Sequence, residues 1–194
     1  MNRLPGSWRN TDPISSIYYQ CGHCDKEIGP TIGYYCELDP QYTNTEITAV
    51  ITICPNCNFP TTLFKDKQIP YPKEGNNVSD LPQEIETIYN EIRVCMSNNA
   101  YTASVLLARK LLMNVAVHLG AEENQSFQHY VKYFDSENYI PKQSKDWVDI
   151  IRKVGNEATH EIPDINIDDA QEVLTFTEML LKLIYEFPAR IQNR

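Results

Sequence analysis

The chain has 194 residues, enough for one full domain and a smaller module, and 42% of them are hydrophobic, as in globular proteins. Its formal net charge is −9, and acidic residues outnumber basic ones both in residues 1–64 and in residues 81–194. A protein that binds duplex nucleic acid by neutralising phosphates needs the opposite balance. We therefore expect no extended binding to duplex DNA.

The first twenty residues lack the apolar core of a secretory signal. The most apolar run is interrupted by Arg109 and Lys110, so that it falls short of a membrane span. We therefore predict a cytoplasmic protein that has no membrane partner. In a reducing compartment the six cysteines favour metal binding over disulfides.

Two Cys-x-x-Cys pairs are the most specific motif of the chain. Each pair can hold one face of a zinc ion, and two pairs complete a tetrahedron. The pattern predicts a structural Zn²⁺ ion, because four protein ligands leave no open position for water or substrate. His23 and Cys36 stay alternative ligands if one pair is misassigned. The four predicted ligands are Cys21, Cys24, Cys54 and Cys57.

Residues 15–64 are predicted to form a small β zinc ribbon around these cysteines. Asn58 directly follows the second pair, and asparagine tolerates the left-handed backbone that such a turn often needs. Residues 65–80 have no periodicity and contain Pro, Gly, Asn and Asp, which predicts a linker. Segments rich in β-branched and aromatic residues predict strands at 32–38, 45–53 and 61–64.

Residues 81–190 show helical periodicity and predict a bundle of four to five helices. We expect Asn99 to cap the second helix and Gly120 to end it. Asn166 is expected to start the last helix and Pro188 to stop it. The predicted fold class is therefore mainly α, with the helical bundle preceded by the small β zinc ribbon.

The predicted fourth helix carries a polar stripe opposite its core face, which contains Trp147. Arg152, Asn156 and His160 are spaced by four residues each and therefore share one side of this helix. Gly155 lies beside them in mid-helix, where glycine often marks a close approach by a ligand or another backbone. Such a stripe is ordinarily just solvated. A functional surface is the alternative.

Two further residues in the predicted helices have two interpretations each. Arg109 has apolar helical neighbours, so its guanidinium either reaches water at the edge of the bundle or binds an anion or polar cluster. Cys95 lies at a core spacing, where it is expected to be a small buried side chain.

The segments LPQEIETIYNEIRVCM, YTASVLLARKLLMNVAVHLG and IRKVGNEATHE resemble a bacterial family of uncharacterised helical domains. Members are often found behind a zinc ribbon or fused to restriction-enzyme subunits, and the family is similar to a branch of the HEPN superfamily (higher eukaryote and prokaryote nucleotide-binding). The resemblance implies a HEPN-like bundle and a metal-independent ribonuclease that acts as a homodimer. It assigns proton transfer to His160, orientation to Asn156 and stabilisation of phosphate charge to Arg152. Arg109 would contact the RNA substrate.

Two hypotheses for the function follow. In the first, the protein is a ribonuclease that acts as a toxin or anti-phage defence effector. In the second, it is a non-catalytic protein whose zinc ribbon and helical bundle bind a protein partner. Seven residues separate Arg152 from His160, whereas the HEPN signature has four to six, and this spacing favours the second hypothesis. A sequence-specific DNA regulator ranks last, because a basic patch is missing.

Overall fold

The structure, a computed structural model, describes residues 3–14, 17–37, 47–140 and 165–192. The chain divides into two compact units, Met1–Lys73 and Glu74–Arg194. The predicted bounds of the zinc ribbon, the linker and the helical domain stay a prediction.

The N-terminal unit is built from short antiparallel strands. Five of them form one sheet in the order β1-β4-β5-β6-β7, and β2 and β3 form a separate two-stranded sheet. The predicted strands at 32–38, 45–53 and 61–64 correspond to β4, β5 and β6. The seven strands are β1 Asp12–Pro13, β2 Tyr19–Gln20, β3 Glu27–Ile28, β4 Ile32–Glu37, β5 Ile47–Ile53, β6 Pro60–Phe64 and β7 Lys67–Ile69.

The middle of strand β5 alternates between buried and exposed side chains. Val50 and Thr52 are buried, whereas Ile51 between them is 38% exposed. Successive side chains on a strand point to opposite faces, which accounts for the alternation at these three positions, whereas Ile53 at the end of β5 is also buried. The β-branched residues of the segment therefore form a half-buried strand, as predicted.

The prediction of a mainly α chain is wrong. The described residues contain a five-stranded sheet and a second, two-stranded sheet beside the helices, so the fold combines both kinds of structure. The sheet is larger than the sequence predicts because β1 and β7 have only two and three residues. Strands of that length carry no recognisable hydrophobic period, and they exist because their backbones pair with β4 and β6.

Strand β7 lies at the start of the segment that the sequence predicts to be a linker. Its residues pair with β6 in the register Thr62↔Ile69 and Phe64↔Lys67. Within this strand, the Gln68 side-chain amide donates to the carbonyls of Gln20 and Pro70. Backbone pairing and polar side-chain hydrogen bonds therefore order this segment, although its sequence has no apolar pattern.

The C-terminal unit is helical in its described part, and α2 packs against α1, α3 and α4. Its apolar core contains Leu111, Val115 and Leu180, all fully buried. None of the described helices is both long and apolar enough to cross a membrane. The described helices are α1 Gln83–Ser97, α2 Tyr101–His118, α3 Phe127–Ser136, α4 Ile167–Leu181 and α5 Phe187–Gln192, with a π-helical turn Lys182–Glu186 between the last two.

Of the four helix ends predicted from the sequence, two agree with the structure and two differ. Gly120 has φ +106° just beyond α2, and the Asn166 side chain accepts the Asp169 N–H at the start of α4. Asn99 does not cap α2, whose N-cap residue is Ala100. Asn99 instead adopts the left-handed conformation, with φ 58°, and its side chain accepts a hydrogen bond from the Tyr101 hydroxyl.

Pro188 does not stop the last helix, contrary to prediction. The π-helical turn precedes it, and the Phe187 N–H bonds to the Lys182 carbonyl five residues earlier. Proline lacks an N–H and crowds the carbonyl four residues before it. The wider π-turn changes the hydrogen-bond register just before the proline, and the helix continues through it to Gln192.

Residues 74–80 lie against the helices of the C-terminal unit and are held there by their backbone. Arg93, only 1% exposed, donates from Nε to the Glu74 carbonyl at 2.8 Å and from Nη2 to the Gly75 carbonyl at 2.9 Å. The Glu178 carboxylate accepts the Asn76 N–H at 2.8 Å. We call residues 74–80 the strap.

Candidate metal centre

Each Cys-x-x-Cys pair forms the turn of a β-hairpin. Strands β2 and β3 flank residues 21–26, and strands β5 and β6 flank residues 54–59. In both turns the residue after the second cysteine has a left-handed backbone, with φ 58° at Asp25 and 64° at Asn58. The prediction for Asn58 is therefore confirmed, and two similar turns present four thiols to one point.

The two turns also share their backbone hydrogen bonds. The Asp25 N–H donates to the Cys21 carbonyl and the Asn58 N–H to the Cys54 carbonyl, both at 2.8 Å. The chain closes each turn with a second bond, from Cys21 N–H to Lys26 and from Cys54 N–H to the Phe59 carbonyl. The position of each sulfur is thus fixed by the backbone of its own hairpin.

The four sulfurs lie at the separations that a tetrahedral zinc–thiolate site requires. Cys21 Sγ is 3.8 Å from Cys57 Sγ, and Cys24 Sγ is 3.7 Å from Cys54 Sγ. All four ligand atoms lie within 4.8 Å of one another. A Zn–S bond of about 2.3 Å in a regular tetrahedron gives S···S distances of about 3.8 Å. The cluster can therefore hold a metal ion.

Burial and hydrogen bonds act on the thiols in opposite directions. Burial raises the pKa of Cys21, and it raises that of Cys57 to about 11. At Cys24 burial alone would raise the pKa, but hydrogen bonds from the Lys26 N–H and the Asn56 side chain lower it. Buried thiolates need a compensating cation, and a metal ion supplies one.

Backbone packs closely around the first turn. A Cβ atom at Gly22 would lie 2.3 Å from the Tyr71 carbonyl oxygen, so only glycine fits there. Lys73 Nζ lies 3.6 Å from Asp25 Oδ2 in the same unit. Residues 70–73 therefore support the turn, although the sequence placed them in the predicted linker.

The structure distinguishes the alternative ligands from the four cysteines. His23 Nε2 lies 3.1 Å from the Pro60 carbonyl oxygen, and its ring stacks on Phe59 at 4.8 Å. Cys36 is exposed on β4 and lies outside the cluster. Among the described residues, the ligand set is therefore the one predicted from the spacing.

A hydrogen-bonded pair of hydroxyl groups beside the centre has no counterpart in the sequence motifs. The Tyr19 hydroxyl shares a hydrogen bond with Thr52 Oγ1, which in turn donates to the Thr61 carbonyl. Burial raises the pKa of Tyr19, and the thiols of Cys21 and Cys54 lie close enough to add to this effect. No sequence motif predicts this contact, because Tyr19, Thr52 and Thr61 lie on three different strands.

The predicted residues of the helical unit are only partly within the described chain. Arg109 is half-buried, with Cζ 4.7 Å from the centre of the Phe127 ring, and burial lowers its pKa. Cys95 is also half-buried, not fully buried as expected. Arg152, Asn156 and His160 lie outside the described residues, so their predicted roles stay predictions.

Comparison with protein families gives one match. The model of a domain of unknown function, DUF4145, matches residues 90–193, which is more than half of the chain. The chain belongs to this family. The DUF4145 region includes α2, α3 and α4 and spans the positions of Arg109, Arg152, Asn156 and His160. No curated protein and no solved structure matches the chain.

Proposed function

We propose that the four cysteines bind one Zn²⁺ ion and that this ion is structural. The support is the sulfur geometry, with S···S distances of 3.7 and 3.8 Å, and the burial of all four side chains. Thiolate ligands at tetrahedral spacing favour zinc over the hard cations Mg²⁺ and Ca²⁺, which prefer oxygen. Four protein ligands leave no position for substrate, so any catalytic chemistry belongs elsewhere in the chain.

We propose further that the protein is a metal-independent ribonuclease that cleaves RNA through Arg152, Asn156 and His160. The observation that carries this proposal is their spacing by four residues, which places an acid/base group, an orienting amide and a phosphate-binding guanidinium on one side of a predicted helix. All three positions belong to the DUF4145 region. Residues 81–190 also resemble the HEPN superfamily, many of whose members are ribonucleases.

The proposed reaction needs only proton transfer and electrostatic support. His160 takes the proton of an RNA 2′-hydroxyl, whose oxygen attacks the adjacent phosphorus. Arg152 stabilises the negative charge that develops on the phosphate, and Asn156 orients either His160 or that phosphate. The 5′-oxygen leaves with a proton, so the products are a 2′,3′-cyclic phosphate and a free 5′-hydroxyl.

A homodimer fits this proposal, because a second copy of His160 would supply the acid that protonates the leaving oxygen. Leu183, Phe187 and Ile191 near the C-terminal end of the described chain are 38%, 43% and 73% exposed. Apolar side chains concentrated within nine residues are typical of a protein interface. In this proposal the dimer acts on RNA in the cytoplasm as a toxin or anti-phage effector.

The test compares wild type with His160→Ala on fluorescent RNA, with His129→Ala as the matched control. His129 is an exposed histidine on α3 whose ring contacts Tyr130. We expect wild type and His129→Ala to cleave RNA equally, and His160→Ala to lose at least 100-fold, as general acid–base catalysis contributes roughly 10²–10⁴-fold. Substrate with a 2′-O-methyl group at the cleavage position should be resistant. Equal cleavage by both variants, or none by wild type, would contradict the proposal.

The second candidate is a non-catalytic interaction protein, and two features of the sequence favour it. The net charge of −9 repels RNA, and the seven residues between Arg152 and His160 exceed the spacing of the HEPN signature. In this case the exposed apolar residues Leu183, Phe187 and Ile191 join two copies of the chain, the dimer binds a protein partner, and no RNA is cleaved. A dimer that is inactive on every RNA tested, together with dissociation of that dimer by Phe187→Glu, would favour this candidate.

A further inference from the structure

A cavity of about 510 Å³ lies in the C-terminal unit and is lined only by residues of that unit. Its walls come from the start of α1, the second half of α2, the loop between α2 and α3, and α3 itself. Cavities of roughly 300–1,000 Å³ are the usual size for sites that bind small molecules. The described residues therefore contain a second candidate site that the proposed nuclease chemistry does not use.

The floor of the cavity is apolar and well packed. Ile85 and Tyr130 are only 4% and 2% exposed, and Met113 and Val117 are half-buried beside them. The Tyr130 hydroxyl accepts the Gln125 N–H at 3.1 Å, which ties the loop before α3 to the floor. Such a floor favours the hydrocarbon part of a ligand and is already formed without one.

The loop that forms one wall is fixed by the end of α2. The Gly120 N–H bonds to the Val117 carbonyl and the Ala121 N–H to the Ala116 carbonyl, both at 3.0 Å. This pair of bonds, with Gly120 at φ +106°, is a Schellman motif. It sets the direction of the chain that leads to Glu123 and Asn124, and so fixes that side of the rim.

The rim is acidic. Glu84 on α1 and Glu123 on the loop expose their carboxylates from two different elements, and neither forms a hydrogen bond or ion pair with a described residue. The amides of Asn114 and Asn124 and the imidazole of His118 complete the polar part. Among the residues that line the cavity there is no lysine or arginine. The rim is therefore complementary to a cation.

We propose that this cavity binds a small organic cation, an alkyl- or arylalkylammonium ion. Its hydrocarbon part lies against Ile85, Met113 and Val117, and its ammonium group lies at the rim between Glu84 and Glu123. The ammonium protons donate to the two carboxylates and to the side-chain carbonyl oxygen of Asn114. The net charge of −9 on the whole chain raises the local concentration of such a ligand.

The first experiment measures binding of hexylammonium to the full-length, zinc-loaded protein by NMR at constant ionic strength. We expect saturable shifts at the methyl groups of Ile85, Met113 and Val117. Hexylammonium should bind more tightly than butylammonium by about fourfold for each methylene that enters the floor. 1-Hexanol has nearly the same shape without the charge, and it should bind at least fivefold more weakly. Equal binding of the alcohol would show a merely apolar cavity and overturn the proposal.

The second experiment uses matched pairs of glutamates. Glu84→Gln combined with Glu123→Gln removes the two rim charges, whereas Glu86→Gln combined with Glu122→Gln removes two exposed neighbours that do not line the cavity. We expect the first double variant to weaken hexylammonium about tenfold, since each exposed charge contributes up to about fivefold. The second should stay within twofold of wild type. Equal weakening in both, or no binding to wild type, would overturn the proposal.

Discussion

Each of the two units of this protein is stabilised internally by a different kind of interaction. Around the cysteines of the N-terminal unit, the buried cluster contains Ile28 in addition to the four thiols. In the described part of the C-terminal unit, one continuous apolar core extends from Val78 to Leu181 and includes residues from all the longer helices. With an ion bound as we propose, the first unit depends on a few strong bonds to one ion, whereas the second depends on many weak contacts.

Because of this difference, substitutions should affect the folding of the two units in different ways. A centre with four ligands loses its geometry when a single ligand is removed, because the remaining three cannot hold the same tetrahedron. An apolar core loses only the contacts of the side chain that is changed, and its neighbours relax partly into the space. We therefore expect all-or-none effects in the N-terminal unit and graded effects in the C-terminal unit.

The largest effect is expected from Cys54→Ser. Structural zinc contributes on the order of 10 kcal/mol to folding at neutral pH, and the cysteine cluster has little apolar core to replace it. We expect this variant to lose its bound ion and the dispersed NMR signals of strands β2 to β6, while α1, α2 and α4 keep theirs. Chelation of wild type should give the same spectrum.

The matched control for this prediction is Cys36→Ser. Cys36 is exposed on β4 and lies outside the cluster, so its replacement should leave one bound ion per chain and an unchanged spectrum. Metal content is measured by mass spectrometry of the purified protein. Loss of the ion in Cys36→Ser, or retention of a folded sheet in Cys54→Ser, would contradict the proposed role of the centre.

The next largest effect is expected from Leu111→Ala in the middle of α2. Leu111 is fully buried, and replacing such a leucine by alanine costs about 3 kcal/mol through lost burial and a residual cavity. Leu106→Ala on the same helix is the control, because Leu106 is 45% exposed and should change the free energy of unfolding by less than about 1 kcal/mol. Urea unfolding followed by circular dichroism measures both. Equal changes would show that α2 is oriented differently.

A smaller effect is expected where the strap meets the helices. Arg93→Met keeps the length of the side chain but leaves the carbonyls of Glu74 and Gly75 without their donors, at a cost of about 2 kcal/mol. Arg93→Lys should recover only part of this, since an ammonium group cannot reproduce the planar fork of the guanidinium. Hydrogen exchange of the Asn76 and Ser79 amides, which bond to Glu178 and Glu186, should accelerate in both variants. Lys110→Met, on an exposed position, should change neither quantity.

The order of the strap could not be predicted from its own sequence. It was assigned to a linker because its residues have no apolar period, and that observation is correct. Its order comes from elsewhere in the chain, from side chains of α1, α4 and the π-helical turn that bond to its backbone. The glycine at position 75 is also required by a residue outside the strap, because a Cβ atom at this position would lie 3.1 Å from the Leu174 side chain. Contacts of this kind leave no pattern in the segment that they order.

The metal centre was predictable for the opposite reason. Its ligands come in two local pairs, and the spacing within each pair already fixes the geometry of one hairpin turn. What the sequence could not decide was the role of His23 and Cys36, which depends on the packing of Phe59 and on the exposure of β4. The cavity beside Glu84 and Glu123 was missed entirely, because its walls come from distant segments and none carries a motif.

The smallest predicted effect is a pH dependence that separates Glu178 from other carboxylates of the helical unit. Burial alone would raise its pKa, but hydrogen bonds from Lys182 and from the backbone and side chain of Asn76 outweigh it, and the pKa is lowered. A carboxylate with a lowered pKa in the folded state contributes stability above its unfolded pKa of about 4.3 and loses that contribution as the pH falls further. Wild type should therefore lose more stability than Glu178→Gln between pH 5 and pH 3. Glu172→Gln, at an exposed position of α4, should follow wild type. Parallel urea titrations at the two pH values would contradict the strap contact if all three proteins lost the same stability.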